Sequence, residues 1–196
     1  METLRAIRTR RTIRRYKTRY IPMKILFEVL DCARWAPTYM NAQSWEFVII
    51  KKESEKTELA RITGEGWIGS APVVVAVLAN LDRARFFIKD NAEKIALFEC
   101  AAAAENMLLA ARDRGLGSAV ILNFDRKQIA KLLESPESVV PVALVTLGYQ
   151  AEYPDSERDP LSHFIHVEKF GNPWPEKLPL KYEKKEVSSE FVRLLG

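Results

Sequence analysis

Cysteine and histidine are scarce in this chain of 196 residues, with two of each. Cys32 and Cys100 lie far apart and form no CxxC pair. Both fall in expected helices among apolar neighbours, so they read as buried thiols rather than a disulfide or a metal site. His163 and His166 stand three residues apart, with no HExxH pattern and no third histidine; two such ligands make a poor zinc site. No Ser/His/Asp or Cys/His arrangement offers a nucleophile, and no GxGxxG segment announces a Rossmann nucleotide fold. There is no run of roughly 18 apolar residues, so no membrane-spanning helix is expected. The opening METLRAIRTRR lacks the apolar core of a signal peptide, and a cytoplasmic protein is the expectation. Internal repeats and low-complexity tracts are absent.

Apolar residues make up 47% of the chain, which suits one compact domain with a sizeable core. Net charge is +4, yet residues 1–20 hold eight basic residues against Glu2, a local +7 that leaves the remainder at −3. TRRTIRRY, residues 9–16, packs four arginines around one hydroxyl, Thr12. A nucleic-acid binder spreads cations over a face and interleaves aromatics. Charge focused in one short segment suits a compact anion such as a single phosphate, or a solvated basic turn. In an extended backbone Arg10, Thr12 and Arg14 share one side and Arg11, Ile13 and Arg15 the other. Guanidinium forks present paired donors that suit phosphate oxygens.

Along the chain, a short helix is expected over residues 2–8, with Leu4 and Ile7 on one side, then a loop or extended segment to residue 15. Pro22 opens a helix that runs to about residue 36, with Ile25, Leu26, Val29, Leu30 and Ala33 at the 3.6 period. Pro37 ends it and leads into an irregular turn, APTYMNAQSW. Residues 46–51 form a buried strand, 54–62 a helix capped by Ser54, and 72–78 a second strand. Between them a glycine-rich stretch surrounds Trp67, which either walls a substrate site or packs in the ordinary way. Residues 82–90 read as a polar connection.

Residues 91–114 form the longest helix, whose centre FECAAAAENMLLAA is apolar nearly all round. Such a helix is buried on several sides or sits at a subunit interface. A strand over 118–122, a helix from an Asp125 cap to residue 133, and a strand over 139–147 follow. Pro141 suggests an edge or a strand start. Past Tyr149 the chain is polar and proline-rich. Even so, Phe164, Ile165, Phe170, Trp174, Leu178, Phe191, Val192, Leu194 and Leu195 are too apolar for a free tail, which implies an arm packed on a partner subunit.

Five motifs, in order and correctly spaced, resemble the nitroreductase family of FMN-dependent homodimeric flavoproteins. RRTIRRY resembles the family's RRSxRxF/Y, and ARWAPTYMNAQSWEFVII its ARWAPSxxNxQPWxFxVV. GLGS, PVALVTLGY and ERDPLSHFIHVEKFG resemble three further blocks. The resemblance implies an α+β, three-layer fold with a central mixed, mostly antiparallel sheet flanked by helices. Residues 1–170 would be the FMN-binding domain and 171–196 an arm exchanged in a homodimer, with FMN at the subunit interface.

By the same resemblance, Arg10, Arg11 and Thr12 bind the ribityl phosphate and Arg14 lies near the pyrimidine edge of the flavin. Pro37, Thr38, Tyr39, Asn41 and Gln43 reach the other subunit's flavin, and Arg158 is another phosphate ligand. Tyr39 would stack near the ring or shield the dimer seam. Leu122 and Asn123, before Phe124, replace the glycine pair or Glu-Gly often found beside the ring; Ser44 and Ser156 depart from a proline and a basic residue. The implied activity is ping-pong hydride transfer from NADH or NADPH through FMN to a small-molecule acceptor, a nitroaromatic, quinone or flavin, with no nucleic acid and no membrane involved. Alternatives are a specialised FMN enzyme of the superfamily (dehalogenation, dehydrogenation or FMN breakdown), a non-catalytic flavin carrier, or a basic nucleic-acid-binding module.

Overall fold

The computed structural model describes residues 2–175. The chain divides into two compact units, Met1–Tyr153 and Pro154–Gly196. The first unit is built on a four-stranded sheet in the order β1-β2-β4-β3. Its strands are β1 (Trp45–Ile50), β2 (Val73–Asn80), β3 (Gly117–Ile121) and β4 (Val139–Gly148), all paired antiparallel. One isolated parallel bridge, Thr12 to Ser118, lies on the outer side of β3.

Two helical layers cover the sheet. α2 (Met23–Ala33), α4 (Leu81–Phe87) and α5 (Ala92–Asp113) share a core with Val73, Val75, Val77 and Ala79. On the other side, Leu59 of α3 (Glu53–Thr63) and Ile129 of α6 (Arg126–Leu132) pack with Val74, Ala76 and Leu78. Strand β2 therefore buries both faces, which is why its sequence is an unbroken apolar run rather than an alternation. Helix α6 has seven residues, too few to stand alone. Burying Ile129 contributes about 2 kcal/mol, more than the cap of about 1 kcal/mol that Asp125 supplies to the Lys127 and Gln128 amides. Helix α1 (Thr3–Thr9) opens the chain.

Several expectations need correction. Residues 81–87 are helix, not a polar connection: Asn80 caps the Arg83 amide, and Leu81 and Ala84 are buried one turn apart, with Ile88 following. Ser54 does not cap α3; the helix starts at Glu53 after Lys52, and the Ser54 hydroxyl donates to Glu55. Helix α2 stops at Ala33, with single-turn bonds carrying the chain to Ala36. Cys32 is exposed, because it lies on the solvent side of α2; Cys100 is buried. Of the two readings of Pro141, the strand start holds and the edge does not: it is the third residue of β4, a central strand. It faces Leu78 where the β2–β4 register shifts, so the missing proline N–H falls at a bulge.

In the second unit, Leu161–His163 forms one short helical turn and His166 bridges Pro173. The arm residues Leu178, Phe191, Val192, Leu194 and Leu195 lie outside the described residues.

Candidate active site

The basic segment is fixed along β3. Ile13, 2% exposed, donates its amide to Ser118 O at 2.9 Å. A Cβ on Gly117 would lie 2.9 Å from both Ile13 γ-carbons, so glycine lets the segment approach. Gly148 does the same for Tyr16, where a Cβ would stand 2.6 Å from the ring. The Tyr16 hydroxyl donates to Ile13 O at 2.5 Å and lies 2.6 Å from Thr146 Oγ1. Burial pushes the Tyr16 phenol well above its ordinary pKa, against the opposing pull of the Thr146 hydrogen bond. The Glu152 carboxylate accepts the Arg14 and Arg15 amides. The segment runs as the expected loop or extended stretch: Thr12 makes a single bridge, and both Arg14 and Arg15 are exposed.

Arginines gather where this segment meets α5. The Thr9 hydroxyl donates to Arg5 O at 2.7 Å and accepts from Arg112 Nε at 3.1 Å. Arg112, near the end of α5, is buried; burial first, then the charges of Arg5 and Arg11, lower its pKa. Arg11 donates to the carbonyls of Arg8 and Arg10. The Arg10 Nε is buried and makes no hydrogen bond, lying 3.6 Å from Glu105 in an ion pair. A bound anion would offset the positive charge that Arg5 and Arg11 set against Arg112. Arg14 reaches the opposite way, its guanidinium 5.7 Å from the Trp67 ring centroid. The Trp67 indole N–H donates to Glu65 at 2.6 Å.

The amide turn is organised by a residue the sequence did not single out. Glu99, 1% exposed in the alanine-rich part of α5, accepts the Thr38 hydroxyl at 2.8 Å and the Tyr39 amide at 2.7 Å on Oε1. Its Oε2 accepts the Ser44 amide at 3.0 Å. The Gln43 amide then donates to Thr38 Oγ1 at 2.8 Å. Met40, Asn41 and Gln43 all have φ near +50°, a left-handed conformation that costs non-glycine residues about 1–3 kcal/mol each. The buried carboxylate holds that strain in place. Arg83 closes the far side, donating to Gln43 O at 2.9 Å and to Glu46 at 2.6 Å. An acid between Phe98 and Cys100 in an apolar stretch was the available signal, since a buried carboxylate needs donors.

Tyr39, Asn41 and Gln43 are exposed on this turn, with Pro37 at its entrance. Leu122 and Asn123 are exposed just past β3. Arg158 belongs to the second unit, where it donates to Glu157 O at 3.2 Å. Thus Arg10, Arg11 and Thr12 are brought together on the β3–α5 side, and Thr38, Tyr39 and Gln43 around Glu99. Along α5, Glu99 holds the turn, Glu105 pairs with Arg10 about 9 Å further on, and Arg112 holds Thr9 about 20 Å from Glu99, at 1.5 Å per residue.

The sequence profile of the nitroreductase family matches residues 7–69 and 63–149. The chain belongs to the nitroreductase family. A protein of Methanothermobacter thermautotrophicus, provisionally named NADH dehydrogenase/NAD(P)H nitroreductase, is 32% identical over 180 residues, covering 87% of this chain and 88% of its own length. An iodotyrosine deiodinase of Thermotoga neapolitana is 28% identical over 168 residues, 76% of this chain and 90% of its own. The FMN-dependent nitroreductase structure from Clostridium difficile superposes with a TM-score of 0.74 at 22% identity, covering 85% of this chain and 99% of that one. The family's fold is the one described above. Among the described residues no helix is long and apolar enough to cross a membrane.

Proposed function

We propose that this nitroreductase-family chain is a cytoplasmic, FMN-dependent oxidoreductase, working as a homodimer that takes reducing equivalents from NADH or NADPH and delivers them to a nitroaromatic, quinone or flavin acceptor. The observation that carries this reading is the arginine cluster of α1, the segment after it and α5, with a buried Arg10 Nε that lacks a hydrogen bond. A phosphate is the kind of dianion such a cluster accommodates. In this reading Arg10, Arg11 and Thr12 hold the FMN phosphate, Arg112 supports them through Thr9, and Arg158 adds a further contact. Arg14 offers a fixed cation to the pyrimidine edge, and Leu122 and Asn123 border the ring. FMN, when bound, supplies the two-electron chemistry; the protein contributes orientation and electrostatics.

Two observations support the dimer. Thr38, Tyr39 and Ser44 are held at Glu99, while Arg10 and Arg112 meet α5 further along it, an arrangement in which Pro37, Thr38, Tyr39, Asn41 and Gln43 serve the partner's flavin. Phe98 on α5 is 71% exposed, and Leu4 and Ile7 of α1 are also exposed, leaving apolar surface for a second copy to cover.

The similarity to an iodotyrosine deiodinase favours one second reading, reductive dehalogenation of a halogenated phenol on the same scaffold. The deciding experiment is the visible spectrum of the purified protein, with any released chromophore identified by chromatography, followed by anaerobic addition of NADH and NADPH. Bound FMN that bleaches and then reduces a quinone supports the reductase. FMN that stays oxidised favours the carrier or the specialised chemistry. A colourless protein whose spectrum and melting temperature ignore added FMN overturns the reading.

A further inference from the structure

Cationic charge is concentrated at a second place, away from the arginine cluster. A cleft of about 460 Å3 opens between residues 16–21, the start of α3 and the turn before β2. Lys17, Arg19, Lys51 and Lys56 line it, with Glu53 as its one carboxylate. Lys56 is 3% exposed, and its ammonium donates to Glu53 at 2.8 Å and Ala71 O at 2.9 Å. Glu53 is therefore committed to Lys56, which keeps a third N–H donor.

Arg19 and Lys51 lie against aromatic faces rather than acids. The Arg19 guanidinium lies 4.0 Å from the Tyr149 ring centroid, and the Lys51 ammonium 5.7 Å from that of Tyr20. Among the described residues, Lys17, Arg19 and Lys51 have no ion pair. Stacking occupies the face of a guanidinium and leaves its in-plane donors available. The cleft thus combines a surplus of +3, a preorganised fork and a buried ammonium, in a volume of the size that takes small ligands.

We propose that this cleft binds a phosphate group, as a second anion site separate from the one assigned to FMN. Two sources share that chemistry: the 2′-phosphate of NADPH, which rests on the oxidoreductase reading above, and free inorganic phosphate. A dianion matches the charge surplus better than a single carboxylate does.

The test is calorimetric titration of the protein as purified, with inorganic phosphate and with 2′,5′-ADP as probes. Arg19→Gln with Lys51→Gln is compared with Lys94→Gln, an exposed charge loss on α5. Wild type and Lys94→Gln are expected to bind at least one probe, and the double variant to bind it about tenfold or more weakly, because two charge-assisted contacts are lost. If 2′,5′-ADP binds and the double variant raises KM for NADPH but not for NADH, the site serves the donor. If inorganic phosphate alone binds, it holds a free anion. Failure of both probes to bind, or equal binding by the double variant, overturns the proposal. The titration needs no flavin, so a protein that ignores added FMN yet binds a probe, and binds it more weakly in the double variant, removes the FMN reading and leaves the cleft standing.

Discussion

The Glu99 carboxylate accepts the backbone amide of Ser44 at 3.0 Å across 55 residues of sequence. Its other oxygen accepts Thr38 and Tyr39, so one buried side chain ties both ends of the strained turn. Glu99→Ala strands three donors and is expected to cost about 3–5 kcal/mol. Glu99→Gln keeps an oxygen for Thr38 and Tyr39 but sets an amide NH2 against the Ser44 N–H, at about 1–2 kcal/mol. Urea denaturation of the two variants, compared at unchanged slope, reads the difference directly.

A methyl group at residue 148 has no room. Gly148→Ala places carbon 2.6 Å from both Pro72 Cδ and the Tyr16 ring. The expected loss is about 3 kcal/mol, at the upper end of the range for overpacking. Tyr16→Phe removes only the hydroxyl shared with Ile13 and Thr146 and should cost about 1–2 kcal/mol. Thermal melts that rank these two the other way round would show that the segment is held by its polar bonds rather than by close packing.

On the proposed cofactor, Arg10→Met removes a guanidinium whose buried Nε has no hydrogen bond. Flavin retention is expected to fall about tenfold or more, while Arg126→Met, on exposed α6, leaves it unchanged. Equilibrium dialysis against free FMN measures both. Equal affinities would remove Arg10 from the phosphate site.

The two thiols should behave oppositely. Cys32 is exposed, so native protein is expected to react quickly with one equivalent of a disulfide reagent, and with two only when unfolded. Burial, then Glu99 and Glu46, push the Cys100 thiol from 9.0 up to about 12. A thiol with a raised folded pKa stays protonated while the unfolded chain loses its proton. Its contribution to stability is therefore constant below pH 9 and falls between pH 9 and 12, by up to about 1.4 kcal/mol per pH unit. Cys100→Ala should flatten that alkaline slope in denaturant titrations; an unchanged slope would assign it to Tyr16 and other groups.

Much of the fold could be read from apolar runs and helical spacing. Strands β1, β2 and β4, the long helix and the Asp125 cap are local signals, each written in consecutive residues. Helix α4 was missed because its arginines and aspartate suggested a loop, although Leu81, Ala84 and Ile88 have helical spacing and Asn80 stands in capping position. Cys32 was misjudged because composition reports neighbours, not which side of a helix faces water. In the candidate site, the arginine segment was visible as charge density. Glu99 and Arg112 were not, since their importance depends on contacts 55 and 103 residues away, which no local pattern encodes.

The spacing of the two groups along α5 has a genetic consequence. Under the proposed assembly each flavin site is a joint product of two chains, one giving arginines and the other a turn. A variant lacking Arg10 and a variant lacking Asn41 would each form homodimers with both sites impaired. Mixed together, they would form heterodimers with one site doubly damaged and the other fully wild type. Two defective alleles would then complement each other, each mixed pair keeping one intact site.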